Sequence, residues 1–111
     1  MSSDDQEPVL VLTTTASGDE ARTIGRALVG ERLAACVNLL PEMTSIYRWQ
    51  GDVLEDREHQ LLIKTTRGQI EALRSRVHEL HSYELPEFLI LSVATGSPGY
   101  LHWLKESTGP S

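Results

Sequence analysis

The stretch ACVNLLPEMTSIYRWQGDVLEDREHQLLIKTT, residues 35–66, decides the fold. Ala35 to Leu40 is a short apolar strand, and Pro41 interrupts it, so this strand lies at an edge or carries a bulge there. Pairing resumes from Thr44 to Trp49. Gln50-Gly51 is a tight turn in which glycine supplies positive φ. Asp52 to Thr66 returns as a third strand whose most apolar part is LLIKTT. The arms exceed the usual strand length of about five to six residues, so the hairpin projects beyond a small sheet.

Working outward, Val9 to Thr15 (VLVLTTT) is β-branched and apolar, which suits a strand buried on both faces. Ser17 and Glu20 have capping-box spacing. Ile24, Ala27, Leu28 and Ala34 follow at helical spacing, predicting a helix to about Leu33. On the far side, Thr66 and Gln69 repeat the capping spacing, and Ile70, Leu73, Val77 and Leu80 form one apolar stripe that stops by Ser82. Phe88 to Ala94 (FLILSVA) reads as a buried fourth strand, and Ser97-Pro98 opens a last short helix. Residues 1–8 read as a frayed tail, residues 9–107 as a single domain, and the closing TGPS as frayed. The order β-α-β-β-α-β plus a terminal helix is the α+β ferredoxin-like arrangement, with both helices on one face of an antiparallel sheet.

Composition narrows the function. The chain has 111 residues, 40% apolar and 23% charged, which excludes bulk disorder and allows one domain. Ten Lys and Arg against sixteen Asp and Glu give a net charge of −6, a poor match to nucleic acid. No apolar run approaches membrane-spanning length, and MSSDDQEP, with no basic or apolar stretch, is not expected to be a secretory signal. One cysteine, Cys36, allows no internal disulfide, so a cytoplasmic setting is expected. Cys36 itself reads as a small core residue. The projecting arm carries Ile46, Tyr47 and Trp49, and its unpaired edge invites a second copy of the chain. A closed homo-oligomer is the expectation.

Several blocks carry a resemblance. They are Glu31-Arg32-Leu33-Ala34-Ala35-Cys36-Val37-Asn38, Thr44-Ser45-Ile46-Tyr47-Arg48-Trp49-Gln50-Gly51, Glu58, Ile63-Lys64-Thr65-Thr66, His81-Ser82-Tyr83-Glu84-Leu85-Pro86-Glu87, and Tyr100-Leu101-x-Trp103-Leu104. Taken together and in this order, the sequence resembles the CutA family of divalent-cation tolerance proteins. The resemblance implies a ferredoxin-like subunit in a tight homotrimer with β-pairing between subunits, and an architecture similar to PII signalling proteins. It further implies a link to tolerance of divalent metals, binding of copper, and no attached catalytic reaction.

The resemblance carries a metal site onto Glu58 and His81. The family's first-strand cysteine has no counterpart in Val9–Thr15, which removes the soft ligand that copper(I) favours. Copper(II) or another divalent ion, held weakly with water completing the shell, is the expectation for that pair. His78 and His81, three apart, would share one side of a helix as a pair of ligands, or else are solvated residues near a helix C-terminus. A second constellation is an intersubunit cleft built from Tyr47, Trp49, Lys64, Tyr83, Glu84 and Glu87. An aromatic wall with a few polar groups suits a small ligand, and Lys64 suits an anionic one. The same aromatics serve equally as interface anchors. Two readings follow: a trimeric, weakly metal-binding tolerance protein that is not an enzyme, or a PII-like signalling or scaffold trimer taking a small ligand or protein in its clefts.

Overall fold

The structure, a computed structural model, describes residues 4–110. Strand β1 (Pro8–Thr15) is central: it pairs antiparallel with β4 (Asp52–Thr66) on one side and β5 (Leu89–Ser92) on the other. Strand β2 (Cys36–Leu39) adds to the far side of β4, giving the order β2-β4-β1-β5, and β3 (Met43–Trp49) extends the ribbon along the N-terminal half of β4. Helix α1 (Gly18–Gly30) links β1 to β2, α2 (Ile70–Leu80) links β4 to β5, and α3 (Pro98–Glu106) closes the chain. This is the expected ferredoxin-like βαββαβ order with an added C-terminal helix and an extended hairpin. No helix among the described residues is long and apolar enough to cross a membrane.

Alternation along the strands explains where the core sits. Val9, Val11, Leu61 and Ile63 point to one face and are fully buried. Ala21, Ile24 and Leu28 of α1, with Leu73 and Val77 of α2, close over that face. Leu10 and Leu12, pointing the other way, are only half-buried, so β1 is sealed on one face rather than both. Helix α3 serves that second face near the end of β4: Lys64 Nζ stands 5.8 Å from the Tyr100 ring centre, and the Thr66 and Thr108 hydroxyls are 3.2 Å apart.

Pro41 does what its lack of an N–H requires. Leu39 stands opposite Leu61 but Met43 opposite Glu58, so Leu40, Pro41 and Glu42 face only His59 and Gln60. That extra residue is a β-bulge, with Leu40 N–H still donating to Gln60 O at 2.9 Å. At the ribbon tip Gln50 and Gly51 both have positive φ, 50° and 88°, the geometry of a two-residue type I′ turn.

Several expectations need correction. Helix α1 stops at Gly30 rather than near Leu33, because Arg32 takes φ 61° and Leu33 N–H reaches back to Leu28 O. This is a Schellman-type end without glycine. Arg32 offsets its left-handed backbone by donating from Nε to Gly109 O and from Nη2 to Glu106 O, each at 2.6 Å. Gly109 N–H returns a bond to Arg32 O, so Thr108 and Gly109 are buried rather than frayed. Ser17 does accept from Glu20 N–H, but Thr66 makes no such cap bond, and the chain enters α2 through a 3₁₀ turn at Arg67–Gln69. Pro8 is in β1, and residues 4–7 are held: Asp4–Gln6 form a 3₁₀ turn and Glu7 meets Arg67 at 2.9 Å. The rest of the expected tail, residues 1–3, lies outside the described residues. Strand β5 is shorter than Phe88–Ala94, and among the described residues it pairs only with β1. Its Leu89, Ile90 and Leu91 are exposed in a single chain, so the apolar run is not buried as expected. Cys36 is half-buried rather than core.

Candidate functional site

Strand alternation puts Tyr47 and Trp49 of β3 on the same side of the ribbon as Asp56 and Glu58 of β4. Tyr47 faces Leu54 directly, so Asp56 is its diagonal neighbour, and the Tyr47 hydroxyl donates to Asp56 Oδ2. The segment 81–88, between α2 and β5, folds over the end of β1 and supplies the opposite wall. Tyr83, Glu84, Leu85, Pro86 and Glu87 come from it, and Thr14 lies at the base. Together these residues enclose an open cleft of about 600 Å³.

The wall is tied down at several points. The Tyr83 hydroxyl donates to Glu58 Oε2 at 2.8 Å, and Gln60 Nε2 donates to Glu87 Oε2 at 3.0 Å and Thr13 O at 2.7 Å. Ser82 N–H donates to Glu20 Oε2 at 2.8 Å, anchoring the segment to α1. Burial first, and then the bond to Glu58, push the Tyr83 phenol well above its ordinary value. The bond to Asp56 raises the Tyr47 phenol as well. Both phenols are therefore donors that hold carboxylates, not bases. Among the described residues of the chain, four carboxylates line the cleft, and no Lys, Arg or His does.

His81 stands behind this wall. Its Nδ1 accepts from Tyr83 N–H at 3.0 Å, so the proton sits on Nε2, which donates to Thr14 O at 2.6 Å. Both nitrogens are thus committed to backbone, and the ring lies 4.8 Å from the Tyr83 ring, centre to centre. A site joining Glu58 and His81 does not fit this arrangement, because ligation would break one of the two bonds that shape the wall. His78 bonds Arg74 O within its own helix and does not join His81. Among the described residues no group of three or more His, Cys, Asp or Glu is placed to hold a metal ion.

Of the residues expected in the cleft, Tyr47, Trp49, Tyr83, Glu84 and Glu87 come together, and Glu58 joins them. Lys64 does not line the cleft of its own chain; it stands beside Tyr100 of α3. Thr14, Asp56, Leu85 and Pro86 line it as well, outside the expected set. The signal for Asp56 was available, since it shares the alternation that places Glu58.

The fold and site define a class: a ferredoxin-like subunit whose long ribbon and α2–β5 segment enclose an acidic, aromatic cleft. The family described as CutA1 divalent ion tolerance protein matches residues 9–107. The chain belongs to that family. It is 55% identical over 100 residues to the divalent-cation tolerance protein CutA of Thermus thermophilus, covering 90% of this chain and 97% of that one. It is 48% identical over 88 residues to protein CutA of Mus musculus, covering 79% of this chain and 50% of the mouse protein, so it spans about half that relative's length. The solved Thermus thermophilus structure superposes with a TM-score of 0.90 at 54% identity, covering 92% of this chain and 99% of that one. The structure of CutA from Xylella fastidiosa gives 0.90 at 42% identity, covering 93% and 99%. These relatives belong to a divalent-cation tolerance family, and none of their names carries a catalytic activity.

Proposed function

We propose that the chain is a homotrimeric divalent-cation tolerance protein that holds copper or other divalent ions weakly on the carboxylates of its cleft. The observation that carries this reading is the charge of the lining: Asp56, Glu58, Glu84 and Glu87 with no basic side chain among them. Such a surface attracts divalent cations with their water retained, without the converging donors that tight binding needs. The exposed ribbon and edge strand support assembly. Ile46 is 66% exposed and Trp49 48% in a single chain, and at the other edge of the sheet the apolar β5 pairs, among the described residues, with β1 alone. A sister subunit would bury both. The single cysteine supports a cytoplasmic setting. Calorimetric titration of copper(II) tests the metal claim. Wild-type protein should bind weakly, and Glu58→Gln should bind less. A tight site lost in His81→Ala contradicts it.

A second reading is favoured by the aromatic wall. Trp49, Tyr47 and Tyr83 beside polar groups make a cavity of ligand size, which suits a signalling or scaffold trimer of PII-like architecture.

A further inference from the structure

Helix α3 rests lightly on the rest of its chain. Of its nine residues only Leu104 is buried. So little apolar burial puts an element at the low-stability end of a fold. The link that leads into it, residues 93–97, has no regular structure. What holds the far end is polar and comes from two sides. Arg32, just past the end of α1, donates from Nη2 to Glu106 O, the last carbonyl of α3, and from Nε to Gly109 O, each at 2.6 Å. A guanidinium there satisfies a carbonyl that the helix leaves open, and it complements the negative end of the helix dipole. Gly109 N–H donates back to Arg32 O at 2.8 Å. The Thr108 hydroxyl, buried, lies 3.2 Å from both Leu104 O and Thr66 Oγ1. The two residues that clasp each other both take positive φ, Arg32 at 61° and Gly109 at 73°. A side chain in that region costs free energy, and glycine is the usual occupant of such a helix end. What arginine adds there is the fork. All of these bonds lie within one chain.

We propose that Arg32 and Gly109 form a latch that keeps α3 closed on the sheet, and that releasing it frees residues 98–109 as one unit while the helix-covered core stays folded. Opening carries Tyr100 away from Lys64, so α3 acts as a lid on that end of β4. The test is native-state hydrogen exchange by mass spectrometry on the intact assembly, with β1 and Leu61–Thr66 of β4 as the internal reference. Arg32→Gly keeps the left-handed turn, which glycine adopts without cost, and removes only the fork. Exchange across 98–109 should then quicken about tenfold, the size expected for loss of charge-assisted bonds, with the reference unchanged. Gly109→Ala attacks the latch from the other side with Arg32 intact. Its Cβ would stand 3.0 Å from Gln69 Nε2, at a φ that alanine resists. It should quicken the same stretch. Unchanged exchange in both variants would show that other contacts hold α3 and would overturn the proposal. Faster exchange confined to residues 107–109 would reduce the latch to a fraying end and overturn it too. So would an equal rise in β1 and β4, which would make Arg32 a contributor to global stability alone.

Discussion

Strand β4 is fifteen residues of one continuous strand, yet its halves live in different surroundings. From Leu61 to Thr66 it is flanked by β1 and β2 and covered by helices, and alternate residues are fully buried. From Asp52 to Arg57 it has one neighbour, β3, and every residue is exposed. The first half is stabilised within its own chain. The second has hydrogen bonds but no layer to cover it, and a lone two-stranded ribbon is marginal in water. A strand this long outside a core is built for something beyond the single chain.

Substitution at one site in each half sharpens the contrast. Ile63→Ala, at a fully buried site, should lower unfolding stability by about 2–5 kcal/mol in urea titration. Ile46→Asp, on the ribbon, should leave the helical signal intact and reduce the particle mass instead. If Ile46→Asp unfolds the subunit, or leaves the mass unchanged, the division between the halves is wrong.

A smaller effect separates the cleft from the core. Tyr83 has a raised phenol pKa, so the folded state favours its neutral form. Its contribution is fully present below the unfolded phenol value of about 10 and is lost as pH rises beyond it. Thermal stability should therefore drop above about pH 10 in the native protein, and Tyr83→Phe should flatten that drop. An identical alkaline limb in the variant would contradict the assignment. The smallest change lies in the core itself. Thr13 is fully buried, and its hydroxyl has no hydrogen-bond partner among the described residues. Thr13→Val should thus raise stability by about 1 kcal/mol in the same urea assay, since it removes an unpaired polar atom at constant shape. A loss of stability would mean that the hydroxyl is paired.

Much of this division is legible in the residues. Pro41 announces the bulge, Gln50-Gly51 the turn, and the stripe Ile70, Leu73, Val77 and Leu80 the second helix, because each acts through local backbone chemistry or periodicity. What stays hidden depends on distant partners. Nothing near Arg32 signals a left-handed residue, since the carbonyls that hold it belong to Glu106 and Gly109. Thr66 has the spacing of a cap but meets Thr108 instead. Phe88 to Ala94 reads as buried because apolar runs usually are, yet a single chain leaves its β5 leucines and isoleucine uncovered. The cleft is half legible. The aromatic and acidic residues are visible in the sequence, but Lys64, although it shares their face of β4, lies further along the strand, opposite Leu10 and beside Tyr100, and so apart from them. His81 illustrates the remainder: its residue type suggests a ligand, and only its two backbone bonds reveal a positioning role.

Sedimentation equilibrium at micromolar concentration tests the central claim, that sister copies cover the ribbon. The account predicts a single species near three times the 12.4 kDa chain mass. A folded particle of 12.4 kDa would contradict it.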